Sequence, residues 1–168
     1  MSTSAELTSK PHVTAINTGV DKEDRKELAA RLSAALADTY LLYLKTQNFH
    51  WNVVGPHFYG LHKLTEQQYQ AMAIAIDDIA ERIRAIGHPS PGSFKQFSKL
   101  SSIEEETGRP SAEEMIKQLI TGNEICTRKL RDAVLEAEQL KDVKTADLLI
   151  ERIGNHEENV WMLSSLLA

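Results

Sequence analysis

With 168 residues, 42% of them hydrophobic and only 8 Gly and 5 Pro, the chain suits one compact domain with a real core rather than two domains or a disordered polymer. A net charge of −5 argues against a surface built to grip duplex nucleic acid, which needs concentrated Lys and Arg to displace counterions. No apolar run approaches the ~18 residues of a membrane span, and no basic start followed by an apolar block marks a secretory signal, so a cytoplasmic protein is expected. The single Cys126 cannot form an internal disulfide and agrees with that compartment.

Residues 1–25 are read as an N-terminal tail and residues 26–168 as a single domain. In the first helical segment Leu28, Leu32, Ala35, Thr39, Leu42, Thr46, Phe49 and Val53 alternate spacings of four and three, which is the stripe one helix buries. It stops at Gly55-Pro56. A second helix resumes near His57, carries Leu61, Leu64, Gln68, Met72, Ile79, Ile83 and Ile86 along one side, and ends in the breaker cluster from Gly87 to Gly92. Within the long connection 93–110, Phe94 and Phe97 at i, i+3 predict a short helix pinned to the surface.

Ser111 with Glu114 forms a capping box that starts the third long helix, striped by Ile116, Leu119, Asn123, Cys126, Leu130, Ala133 and Ala137. A fourth begins near Asp142 and runs through Ala146, Leu149, Ile153, His156, Val160, Leu163 and Leu167. Strand signals are nearly absent. The pattern is all-α: a four-helix bundle, two helical hairpins joined by one long crossover that holds the short helix, the arrangement of ferritin-like folds.

A di-iron site inside one such bundle needs Glu-x-x-His, because i and i+3 point to one face. The residues three places before the six His are Ser9, Gln47, Val54, Tyr59, Ala85 and Ile153, none of them Glu. The second helix instead carries His62, Glu66, Tyr69, Ala73, Asp77 and Ala80 on a second face, with Glu81 at its edge. Asp and Glu at i, i+4 are usually solvated charges. Here they share a stripe with small Ala residues that would let another helix approach. His62 and Asp77 lie roughly 22 Å apart along the axis, so they cannot share an ion in one subunit. If two copies pack antiparallel about a dyad near Tyr69 to Ala71, His62 of one meets Asp77 and Glu81 of the other, twice over. With His50 this gives a mixed imidazole and carboxylate set suited to Fe(II), with Zn(II) or Mn(II) also accommodated.

The run KTQNFHWNVVGPHFYGLHKLTEQQY from Lys45 to Tyr69, followed by AIDDIAERI from Ala75 to Ile83, resembles the Dps family of mini-ferritins. The resemblance implies a hollow shell of twelve subunits in which iron is oxidised, commonly by hydrogen peroxide and otherwise by oxygen, and stored as ferric mineral. It implies His50 and His62 as ligands from one subunit, Asp77 and Glu81 from its mate, and Glu66 near the second metal position. Trp51 resembles the tryptophan beside the centre, where a ring could take up an oxidising equivalent, and is otherwise a packing aromatic. Asp142 and Asp147 resemble the acidic segment of three-fold pores, or else serve the start of the fourth helix through capping and the helix dipole.

DNA binding is expected to be weak or absent, although the family's name allows a nucleoid-associated pool. Residues 1–27 hold Lys10, Lys22, Arg25 and Lys26 against Glu6, Asp21, Glu23, Asp24 and Glu27, which is no basic arm. Cys126 and His156 read as core residues, Trp161 and Met162 as packing, and His12, His57 and His88 are given no role. Two other functions compete with a ferroxidase: a non-catalytic DNA-shielding shell, and a Zn- or Mn-binding bundle without redox turnover.

Overall fold

The computed structural model describes residues 16–168, so most of the N-terminal tail and His12 lie outside the described residues. Five helices follow one another: α1 (Lys22–Asn52), α2 (Phe58–Ala85), α3 (Phe94–Leu100), α4 (Ala112–Gln139) and α5 (Val143–Ser165). No strand occurs among the described residues. None of these helices is long and apolar enough to cross a membrane. α1 starts at Lys22, four residues before the expected domain start. Asp21 occupies the N-cap position and Glu23 and Asp24 the first turn, where acids suit the helix dipole but leave no apolar periodicity to read.

α1 and α2 form one antiparallel hairpin and α4 and α5 the other, with α1 packed on α4, α2 on α5 and α3 laid against α1. Every stripe residue expected on the first helix is buried, from Leu28 to Val53. Gly122 lets α1 and α4 approach closely, since a Cβ there would come within 2.6 Å of Leu42 Cδ1. The predicted capping box is present: the Glu114 N–H donates to Ser111 Oγ and the Ser111 N–H to Glu114 Oε2. α2 stops because Gly87 takes φ +94°, which lets the His88 N–H reach back to the Ile83 carbonyl at 3.1 Å.

The crossover is tied down by a residue whose role the sequence hid. Asp38, buried in the middle of α1, accepts bonds from Ser101 Oγ (2.8 Å) and the Ser102 N–H (2.6 Å) and pairs with Lys129 Nζ on α4 at 2.9 Å. An Asp at mid-helix otherwise reads as solvated. Phe97 is buried and stacks on Tyr40 at 4.6 Å, whereas Phe94 stays exposed, so one of the two expected anchors holds α3 within the chain. Trp161 does not pack within the chain as expected; it is 67% exposed, because the core side of α5 is carried by Leu149, His156 and Leu163.

His156 and Cys126 are core residues, as expected. The His156 Nδ1–H donates to Asn123 Oδ1 at 2.8 Å, Asn159 donates to the same oxygen, and the Asn123 amide donates to the Leu119 carbonyl. Burial, with the charge of Arg152, lowers the His156 pKa to about 3, so the ring is neutral. Burial pushes the Cys126 thiol up, out of reach of the thiolate form at neutral pH.

Candidate metal centre

The α1–α2 turn brings His50 and His62 face to face, with ring centroids 3.8 Å apart and planes inclined by 15°. His50 Nδ1 lies 2.8 Å from the His62 carbonyl and His62 Nδ1 lies 2.9 Å from the His50 carbonyl. A carbonyl can only accept, so both Nδ1 atoms carry a proton. In its neutral form each imidazole would therefore present its lone pair at Nε2, the tautomer a metal ligand needs, with the main chain acting as the orienting partner. Phe58 stacks on His62 at 5.1 Å and Tyr69 meets His50 edge-on at 5.2 Å, which fixes both rings from outside the pair. Thr65, three residues beyond His62, spends its hydroxyl proton on the Leu61 carbonyl.

Nearly parallel rings have a consequence for stoichiometry. In-plane lone pairs from planes inclined by only 15° cannot converge on one ion at the ~2.1 Å of a metal–nitrogen bond. If the pair held metal, each ring would face its own ion.

Glu66 stands one turn beyond His62 on α2 and is partly exposed. Lys63 Nζ holds its Oε2 at 2.9 Å. That hydrogen bond, with the lysine charge, keeps the Glu66 carboxyl below the usual range. Asp77 and Glu81 are exposed further along the same unbroken helix. One chain thus brings together His50, His62 and the nearby Glu66, and leaves Asp77 and Glu81 apart. Among the described residues no group of three or more His, Cys, Asp or Glu side chains gathers into a metal-holding cluster. The α2 face that carries the missing carboxylates is uncovered, with Ala73 exposed and Ile74 67% exposed. Trp51, beside His50, is 64% exposed and does not pack within the chain.

Asp142 and Asp147 separate in role. Asp142 is 6% exposed and caps α5: it accepts from the Thr145 N–H and hydroxyl, and Arg82 Nη2 reaches both of its oxygens at 2.6 and 2.8 Å. The capping alternative therefore describes it, and it faces no channel in the single chain. Burial tends to raise its pKa, but the bonds from Arg82 and Thr145 outweigh this and hold the carboxyl below the ordinary range. Asp147 is exposed and pairs with Lys144 at 3.0 Å. Arg82, the third residue of the AER motif, was missed as a structural clamp because its partner lies 60 residues away.

A family model for the ferritin-like domain matches residues 29–168. The chain is 35% identical over 142 residues to DNA protection during starvation protein 2 of Bacillus anthracis, covering 84% of this chain and 97% of that one. The chain belongs to the Dps family. It is also 41% identical over 154 residues to an uncharacterised low temperature-induced protein of Nostoc sp. (strain PCC 7120), covering 90% of this chain and 86% of the relative. The crystal structure of the Dps protein from Vibrio cholerae O1, described as a member of a broad superfamily of ferritin-like diiron-carboxylate proteins, superposes with a TM-score of 0.87 at 30% identity, over 95% of this chain and all of that one. The resemblance drawn from the sequence motifs is thereby confirmed at the level of family and fold.

Proposed function

We propose that this Dps-family chain is the subunit of an iron-storing shell that oxidises Fe(II) at centres shared between two-fold-related copies and so protects cytoplasmic components from oxidative damage. The observation that carries the reading is the His50–His62 pair, each Nδ1–H spent on the other's carbonyl so that Nε2 is the nitrogen offered to a metal, with Glu66 one turn beyond His62 on α2. Two imidazoles on one copy, with Asp77 and Glu81 from its mate, give a borderline-to-hard donor set that fits Fe(II). The uncovered α2 face supports the same arrangement, because its small residues allow a second α2 to approach.

Iron is the substrate. Two Fe(II) ions give one electron each to a molecule of hydrogen peroxide, which takes up two protons and leaves as two waters. Paired one-electron donors avoid the release of hydroxyl radical. The protein's contribution is positioning, since the carboxylates offset the charge of two cations and the imidazoles hold them at a fixed spacing. Trp51, next in chain to His50, is assigned the uptake of a stray oxidising equivalent. The exposed Asp147 is assigned to the path that draws cations toward the cavity. The hydrolysed Fe(III) collects as mineral within a shell we take to be twelve subunits.

Anaerobic loading with Fe(II), followed by a stoichiometric pulse of peroxide or of oxygen, tests this directly. The wild type should form and retain ferric iron, faster with peroxide, while a His62→Ala, Asp77→Ala variant should not. Equal rates and equal iron retention in the two proteins would reject the proposed centre.

A further inference from the structure

The cation already seated on Glu66 belongs to the protein. Lys63 Nζ lies 2.9 Å from Glu66 Oε2, one turn from His62 on the face that carries the candidate ligands. It is the residue next to His62 and three before Glu66, so the helix itself delivers its ammonium there. We propose that Lys63 is a displaceable counter-ion of the centre, occupying the Glu66 carboxylate until divalent metal takes its place. The inference rests on the ferroxidase reading above and concerns how that site is regulated.

The charge balance of the shared centre calls for a counter-ion. In the shared arrangement Glu66, Asp77 and Glu81 bring three carboxylates together, and without metal these repel one another across the interface. Lys63 offsets part of that charge. When two divalent ions bind, the same ammonium becomes a like charge beside them and is driven off. Its side chain is half exposed and mobile on a four-carbon stem, so it can swing into solvent without disturbing the backbone. A single-point ammonium suits this task better than Arg, whose planar fork grips a carboxylate with two parallel bonds. The device thus trades metal affinity for a stable metal-free assembly.

The test is a titration of the assembled full-length protein with Co(II), which is redox-inert here and reports ligation through its visible absorption. Lys63→Gln should tighten Co(II) binding by about three- to fivefold, the size of an exposed ion pair, and Lys63→Arg should weaken it below wild type. The metal-free Lys63→Gln assembly should in turn dissociate at lower urea than wild type, the reverse of its effect on metal. Affinities that are equal across the three proteins, or an order other than Gln, Lys, Arg, would overturn the role of Lys63. His62→Ala separates the two claims. If it abolishes Co(II) binding while Lys63→Gln leaves affinity unchanged, only the counter-ion role falls; if it binds Co(II) like wild type, the centre falls and this inference with it.

Discussion

His50 and His62 are locked to one another through their main chains: each ring donates Nδ1–H to the carbonyl of the other, across the α1–α2 turn, at 2.8 and 2.9 Å. This reciprocity sets the tautomer of both rings at once and holds their planes nearly parallel. The centre should accordingly bind two ions. Calorimetric titration with a redox-inert divalent ion is expected to saturate at about two per chain, since each dyad makes two centres for two chains. Saturation at one ion per chain would contradict the parallel-ring argument.

The Arg82–Asp142 pair clamps the end of α2 to the start of α5, with Thr145 completing the network. Asp142→Asn removes the partner of a guanidinium that is only partly exposed, and should cost about 2–4 kcal/mol in urea unfolding. The folded-state pKa of Asp142 is depressed, so its contribution is fully present above the ordinary Asp value near ~3.9 and lost as pH falls through the folded value. The gap between wild type and Asp142→Asn should therefore narrow only in strong acid.

His156 adds a second pH dependence, in a less acidic window. Its folded pKa is lowered to about 3, against an ordinary value of about 6.5. Above the latter neither state holds the proton; below it the unfolded chain binds one that the native core refuses. Stability should fall as pH drops from there toward about 3, by at most about 1.4 kcal/mol per pH unit from this group. A His156→Gln variant, which keeps a donor for Asn123, should show a flatter profile across that window.

Lys141 ends α4 with φ +57°, allowing the Asp142 N–H to reach the Ala137 carbonyl at 2.8 Å. A side chain in that left-handed conformation is strained by about 1 kcal/mol, which glycine escapes at some entropic cost. Lys141→Gly should raise the unfolding midpoint slightly, equivalent to roughly 0.5 kcal/mol.

The fold was legible because its stripes are long and their breakers sharp. Leu28 to Val53 and Leu61 to Ile86 follow helical spacing closely, and Ser111 with Glu114 announces α4. The candidate ligands were legible for a related reason: His62, Glu66, Asp77 and Glu81 occupy a face distinct from the core stripe. What stayed hidden depends on long-range partners. Asp38 reads as a surface acid until the crossover folds over it, and the mutual His50–His62 bonds require the turn at Gly55 to be closed. Trp161 reads as a packing aromatic yet is 67% exposed, because helical spacing alone does not say what covers a residue off the core stripe.

The central claim is that neither copy owns a complete centre, and subunit complementation tests it most directly. His62→Ala and Asp77→Ala, Glu81→Ala variants are each expected to lack peroxide-driven Fe(II) oxidation when made alone. Coexpressed, they form mixed dimers in which one of the two centres draws intact histidines from one chain and intact carboxylates from the other. Random mixing predicts recovery of about a quarter of wild-type activity. No recovery in a correctly assembled mixed shell, or full activity from either variant alone, would contradict a shared centre.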